Sequence, residues 1–580
     1  MDSVMGKRGS IAVLNRRASA VPIEGNSKPL ISEEEWKKKA NVTVANSSSN
    51  DDSGCADEKT KLLGGNKRGN DSSSSSDKGS GSGSSNSSGG LLAEIPAIIV
   101  TLMINFMTAI PFGVAYFPLG WSGKGDGCEN STAEDVCGPF PIPGKEVLGI
   151  RMFLMACITG QLALMLASNF KSPVSVQLIE NVPFYHAMAG IVITEQGYGK
   201  EALSTLFFIF GLSSIVTGLM FYLLGKAGLG KAVYYFPNHV LKGFIGGIGV
   251  FIAASSSGVM IGEDFTFDIS GVTTLAAHFN EYAPVLIFEV VLRILMAVCV
   301  DRKTGEPKFT LLAPIYFISI IPMYYAALYA LGISLETATT AGYFFPGAAA
   351  AAATAGDGSN TSSSPSFFDM VFDGHVMDLF RIVDFHTISW TAVTKSVGTI
   401  VGVSCFSVVN VPINIPAFAN ACDVEVDMNN ELMTHGYSNI LSGIFGGIQN
   451  VMTYSISVLY YKSGGNSKGG LVSLILGTIC IFVVGTSTMP YIPRCMAGTL
   501  LLHIGIDLFL EGIVESFEEY DKIEYAGIVA IVLVMTFMGM TPALIAGVVV
   551  AMTTYAMQSV QNLDPIFKIT SATTLRSSAW

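Results

Sequence analysis

The sequence predicts an all-α polytopic membrane protein, on three observations. Charged residues make up 13% of the 580 residues and hydrophobic residues 50%, where a soluble chain of this length carries about 25% charged residues. Several apolar runs reach the roughly 20 residues that a helix needs to cross a bilayer. The chain also divides at a link over 336–385 into halves of seven apolar segments, and the third segment is interrupted in each half. Paired interruptions at corresponding positions point to inverted repeats whose site lies at the bilayer midplane, between facing half-helices.

Residues 1–90 are polar, with a run of Ser, Gly and Asn. Such a composition cannot bury enough apolar surface to offset the entropy of ordering, so a disordered cytosolic tail is expected. Within it, Glu58, Leu62 and Leu63 fit an acidic dileucine sorting signal for lysosome or vacuole, a pattern that also arises by chance in long tails. A first membrane repeat is expected over 91–335, with spans near 91–118, 147–168, 174–195, 201–224, 238–261, 283–300 and 309–332. The 336–385 link is expected to be a non-cytosolic loop. A second repeat is expected over 386–562, with segments near 390–415, 436–451, 455–462, 471–487, 493–512, 524–540 and 542–559, and a short cytosolic tail over 563–580. Hydropathy alone supports about twelve crossings plus short pieces.

Orientation is consistent with this division. With the N-terminus cytosolic, the glycosylation sequons at Asn130 and Asn360 fall on the far side, and the basic turns 226–231 and 301–308 on the cytosolic side, as positive-inside charge bias requires. Cys128 and Cys137 share the loop with Asn130, a disulfide candidate if that loop faces an oxidising compartment. The net charge of −12 lies in tails and loops, and no basic cluster suggests nucleic acid. Nor does the sequence hold a nucleophile–base order, a phosphate-binding loop or a metal-ligand spacing among its cysteines. No enzyme and no cofactor is expected.

The interrupted stretch 168–190, SNFKSPVSVQLIENVPFYHAMAG, carries the chemistry. A carboxylate at bilayer depth is costly, which makes Glu180 a candidate for binding substrate or a coupling proton. Alternatively it caps a helix, where a first-turn carboxylate is stabilising. Gln177 and Ser175 lie near the same turn and are weighed evenly between site and structure. His186 could relay protons, since its ordinary pKa lies near 6.5, or it packs between helices. In the partner stretch 450–470, Ser455 and Ser457 stand where a second half-helix begins, to contact solute or to cap. Glu289 and Arg293, four apart, read as a local ion pair.

Three motifs give a resemblance. ANACDVEVDMNNELMTHG, with Asp427, Asn429, Asn430, Glu431, Leu432 and Gly436, is similar to the D-x-N-Q-E-L signature of the SulP family, also called solute carrier family 26. The stretch 236–262 resembles that family's fifth helix, and IPFGVAYFPLG its first. The resemblance implies fourteen transmembrane segments as two inverted seven-helix repeats, a UraA-like, SulP-type fold with core and scaffold domains. It also implies alternating access and a homodimer. By this resemblance Asp427, Asn429 and Glu431 form a cytosolic structural turn rather than a metal site. Relatives usually continue into a STAS domain after the last helix, and none is found before Trp580.

The departures concern charge. Anion carriers of the family typically have a first-helix glutamine and a Ser-x-Ser-Arg on the tenth helix. Here the glutamine position is Phe112 and the arginine position Val458, while Glu180 is added. A like charge about 4 Å from an anion costs ~4 kcal/mol at an effective dielectric of 20. Helix dipoles offer ~0.3–1 kcal/mol each. The site therefore suits a cation or a proton-coupled zwitterion better than sulfate. The run from Val182 to His186 resembles fungal vacuolar SulP-type proteins linked to storage of basic amino acids. The expected function is a secondary active transporter that moves a small charged solute, with protons, across a vacuolar or lysosomal membrane. A sulfate, bicarbonate or chloride transporter or exchanger is the alternative, and an uncoupled channel-like or motor-like membrane protein is a third.

Overall fold

The computed structural model describes residues 88–118, 121, 145–230, 237–262, 265, 267–299, 311–345, 384–484, 488–489 and 491–561. The sorting-signal residues Glu58, Leu62 and Leu63, the cysteines Cys128 and Cys137 and the sequons at Asn130 and Asn360 lie outside the described residues.

In the first half, helices run over Ser88–Ala115 (α1), Lys145–Ala167 (α2), Val182–Gln196 (α3), Lys200–Lys226 (α4), Asn238–Ile261 (α5), Ile269–Ala277 (α6), Phe279–Val298 (α7), Leu312–Leu331 (α8) and Leu335–Thr340 (α9). In the second they run over Trp390–Cys422 (α10), Met428–Ile444 (α11), Tyr454–Lys462 (α12), Lys468–Val484 (α13), Arg494–Phe509 (α14), Lys522–Met538 (α15) and Met540–Gln561 (α16). Seven spans among the described residues are long and apolar enough to cross a membrane: Ala93–Ala115, Glu146–Ala167, Glu201–Lys226, Asn238–Ile261, Leu312–Leu331, Trp390–Cys422 and Arg494–Glu519.

The segment expected as a span over 174–195 is helical only from Val182, after an extended pair Ser175–Val176 (β1) and a 3-10 turn over Ile179–Asn181. Its counterpart, α12, follows the extended pair Val451–Met452 (β2). The two pairs are antiparallel, with Ser175 opposite Met452 and Val176 opposite Val451. The start of the 336–385 link is not wholly loop. Ser334 caps α9 by accepting from the Thr337 N–H, and Phe344 bridges to Pro493.

Packing sorts the helices into two sets. One gathers α1, α2, α4, α10, α11, α12 and α13; the other gathers α5, α7, α8, α14, α15 and α16. Lipid tails give apolar helices no hydrophobic reason to associate, so close backbone approach has to hold them. Between α4 and α11 it does. Gly211, Gly218 and Gly225, seven residues apart, meet Gly443, Gly436 and Asn429, also seven apart and running the opposite way. A Cβ on Gly218 would lie 2.8 Å from the Gly436 carbonyl oxygen, and one on Gly211 2.9 Å from that of Gly443. The second set uses the same device where Gly249 of α5 faces Gly505 and Phe509 of α14.

Replacing Gly218 by Ile drives four carbons into the α11 backbone, where overpacking costs ~1–3 kcal/mol or more. The expected outcome is a lower melting temperature in detergent and reduced recovery of folded protein. Leu219→Ile, one position along on an exposed face, should leave both unchanged.

Candidate functional site

Extended backbone inside a membrane protein leaves N–H and C=O groups that water cannot satisfy at depth. Where the two extended pairs cross, neighbouring groups satisfy them. The N–H of Thr453 donates to the Val174 carbonyl at 3.1 Å, and the N–H of Val174 to Ser457 Oγ at 2.9 Å. From α2, Gln161 accepts from the Ser175 N–H (2.9 Å) and donates to the Pro173 carbonyl (2.8 Å). On α11 the residues His435, Ser438, Asn439 and Ser442 share one helical face. Asn439 accepts from the Asn450 N–H at 2.9 Å and donates to its carbonyl at 2.8 Å. The His435 Nε2 accepts from the Met452 N–H at 3.0 Å, which fixes the tautomer whose Nδ1–H donates to the Glu431 carbonyl. Ser442 donates to the Ile448 carbonyl at 2.6 Å, and Ser438 donates to Asn450 Oδ1. The crossing is thus cradled by α2 on one side and α11 on the other.

The signature residues hold the turn that leads into α11. Asp427 caps that helix by accepting from the N–H groups of Asn429 and Asn430. Glu431 accepts from Ser168 Oγ–H and the Asn169 N–H, both at 2.8 Å, which anchors the chain leaving α2. Asn430 donates to the Ala167 carbonyl, and Asn429 accepts from the Gly230 N–H. These bonds occupy the carboxylates as structural acceptors.

The expected site residues divide by exposure. Glu180, in the 3-10 turn that leads into α3, is half-buried. Ser455, in the first turn of α12, is exposed. Ser175 and Ser457 are buried and bonded, Ser175 to Asn450 Oδ1 at 3.2 Å and Ser457 to Val174. Gln177 is buried and accepts from the hydroxyl of Tyr116, just past α1, while its Nε2 has no hydrogen-bond partner among the described residues. Thr453 Oγ1, at the cap of α12, is likewise unpartnered. Phe112 packs edge-on against Phe153 of α2, ring centroids 5.6 Å apart. Val458 is 3% exposed, inside an apolar cluster with Phe170 and Phe418. His186 sits edge-on to Phe251 of α5 at 5.5 Å. Asn181 is buried and donates to Gln449 Oε1 at 3.1 Å. The structure therefore brings Ser175, Ser457 and Asn450 together at the crossing, joins Gln177 to α1 through Tyr116, and keeps Phe112 and Val458 in the packed interior.

Two charged residues not singled out from sequence pair between α5 and the segment after α14. After Phe509 the helix widens into a π-turn over Leu510–Glu515, a distortion often found at functional sites. The widening brings Gly512 against α5, where a Cβ would fall 2.3 Å from the Gly246 nitrogen. It carries Glu511. Lys242 of α5 pairs with Glu511, Nζ to Oε1 at 2.9 Å.

Two helices broken at the centre of a helical bundle, their ends crossed, define a multi-pass membrane protein of the crossed half-helix kind. The chain belongs to the sulfate permease family, whose model matches residues 154–531. It is 29% identical over 471 residues to the vacuolar basic amino acid transporter VSB1 of Saccharomyces cerevisiae, a match covering 80% of this chain and 41% of that protein. The chain thus spans about two fifths of the length of the curated relative it matches. The murine Slc26a9 anion transporter in its inward-facing state shares the fold, with a TM-score of 0.54 at 13% identity over 81% of this chain and 69% of that one. A further SLC26A9 structure gives 0.54 at 12% identity, over 93% and 72%.

Asn439→Leu removes both side-chain partners of the Asn450 backbone. A buried unsatisfied polar group costs ~1–3 kcal/mol, so the variant should lose thermal stability, and hydrogen exchange at Asn450–Met452 should rise above that of α10.

Proposed function

We propose that the chain is a secondary active transporter for a small solute carrying positive charge, a basic amino acid, which it moves across a vacuolar-type membrane by alternating access. The observation that carries this reading is the charge beside the crossing. Glu180 is half-buried at the α3 terminus, Val458 supplies apolar packing where an anion site would need a cation, and the further carboxylate of Glu511, on the π-turn after α14, is paired with Lys242. For a sulfate held near Glu180, repulsion of ~4 kcal/mol at about 4 Å outweighs two dipoles of ~0.3–1 kcal/mol each. For an ammonium or guanidinium the same carboxylates are attractive. The similarity to a yeast protein that transports basic amino acids at the vacuole supports the same solute and membrane.

In this reading Glu180 contacts the cationic group or takes up the coupling proton. Ser455, Thr453 and Gln177 line the half-helix ends where the solute's α-carboxylate benefits from the dipoles. The seven apolar segments read on either side of the 336–385 link would form two inverted repeats, fourteen segments in all. Their interrupted third members pair antiparallel, as a two-fold axis in the membrane plane requires. The set with α5 and α14 is the scaffold and the set with α1 and α10 the moving core. A homodimer through the scaffold fits the family.

Uptake of labelled arginine and of labelled sulfate into vesicles carrying the purified chain tests the proposal. Wild type should take up arginine but not sulfate. Glu180→Gln should cut arginine uptake at least about tenfold, the equivalent of ~1.4 kcal/mol. Sulfate uptake that is unimpaired in Glu180→Gln would establish the anion reading instead.

A further inference from the structure

Where the start of α1 meets the turn between α12 and α13, a carboxylate lies buried without a cationic side chain. Glu94, in the second turn of α1, is 6% exposed, and its Oε2 accepts from Ser467 Oγ–H at 3.0 Å. Ser467 in turn accepts from the Gly470 N–H at 3.0 Å, at the start of α13. The Tyr460 side chain of α12 is fully buried, and its hydroxyl has no hydrogen-bond partner. Both oxygens converge on Gly470, where a Cβ would lie 1.9 Å from Glu94 Oε2 and 2.5 Å from the Tyr460 hydroxyl. Gly465 packs on the same ring, and a Cβ there would fall 2.4 Å from Cε1 and from Cζ. Lys462 and Lys468 flank the turn but are exposed, and no described Lys, Arg or His pairs with Glu94.

We propose that Glu94, Tyr460 and Ser467 hold a monovalent alkali cation, Na+ or K+, at a site separate from the crossing. A carboxylate taken out of water needs a charged partner as well as hydrogen bonds, and here it has one hydroxyl. Carboxylate, phenol and hydroxyl oxygens are the donors that hard cations take. The phenol does not simply donate to the carboxylate, since no hydrogen bond joins them. Its lone pairs are free to turn towards the point that Glu94 also faces. Charge sets the valence: one carboxylate neutralises one positive charge. Among the described residues no group of three His, Cys, Asp or Glu is placed for a multivalent metal. A side chain at position 470 would fill the point on which the oxygens converge, and glycine leaves it clear.

The site ties three elements together. α12 starts at the crossing, with Thr453 at its cap and Ser455 in its first turn, and Tyr460 lies near its other end. A cation between Tyr460 and Glu94 therefore fastens the far end of this half-helix to α1. The C-terminal end of a helix is the negative end of its dipole, which favours a cation there. Occupancy thus bears on the half-helix that serves the crossing, without using Glu180.

Thermal unfolding of the full chain in detergent tests this without a transport assay, so its failure is distinct from failure of the solute reading. The melting temperature is followed at fixed pH and ionic strength while NaCl or KCl replaces N-methyl-D-glucamine chloride. A ligand that binds only the folded state raises the melting temperature with its concentration. Wild type should gain stability in Na+ or in K+, and the gain should saturate. Glu94→Gln keeps an acceptor for Ser467 and removes the buried charge. It should melt in N-methyl-D-glucamine no lower than wild type and respond to neither cation. Tyr460→Phe removes one oxygen and keeps the ring, so half-saturation should rise at least about tenfold, the worth of one contact to a charge. Should Glu94→Gln fail to fold, Tyr460→Phe carries the test by itself. Equal wild-type melting in all three salts, the mark of a protonated Glu94, would overturn the proposal. So would a cation response that survives Glu94→Gln or keeps its wild-type half-saturation in Tyr460→Phe.

Discussion

The structure depends on how the chain satisfies a few extended backbone groups at the centre of a helical bundle. A helix is the default in lipid because it pairs its own N–H and C=O groups. Breaking two helices at the same depth exposes orphan groups, and the antiparallel pairing of β1 with β2 meets only some of them. The rest fall to Gln161 and to the face of α11 that carries His435, Ser438, Asn439 and Ser442. Those side chains reach the crossing because α11 lies glycine-to-glycine against α4 and packs on α2. The close approach and the polar face are one design: a bulkier α4 would push α11 away, and the crossing would lose its donors and acceptors.

With the break stabilised, helix ends and a carboxylate share a small volume. Ends of half-helices favour negative charge, which suits the α-carboxylate of an amino acid as well as it suits sulfate. In the proposed reading Glu180 decides between them, because coulombic energy at short range exceeds the dipoles. The ion pair Lys242–Glu511 stands on the far wall, where the π-turn has let the end of α14 press against α5.

Much of the fold was legible in the sequence, for a physical reason: in a bilayer, composition and segment length constrain structure strongly. The apolar segments and the paired interruptions could be read directly, and the turn at Asp427–Glu431 followed from the family resemblance. Prolines and polar residues are costly inside an apolar span, so their presence marks a broken helix or a polar site. Side-chain direction was less accessible. Ser175, Gln177, Ser457 and Val458 lie within a few residues of a more exposed position, and an extended pair followed by a helical turn points such neighbours opposite ways. Phe112, expected at the site by the family resemblance, packs on Phe153. Glu511 and Lys242 lay far apart in sequence, and their meeting rests on a π-turn that carries no sequence signal. The glycine spacing of seven in α4 was present and readable.

The central claim is that Glu180 makes this crossing a cation site. The most direct measurement is a structure of the full chain, determined by electron cryo-microscopy with saturating arginine and, separately, with saturating sulfate. The account predicts guanidinium density in the crevice between Glu180 and Glu511, within hydrogen-bond reach of Glu180, and no density there with sulfate. Sulfate at the α3 and α12 ends, with Glu180 turned into the protein, would contradict it.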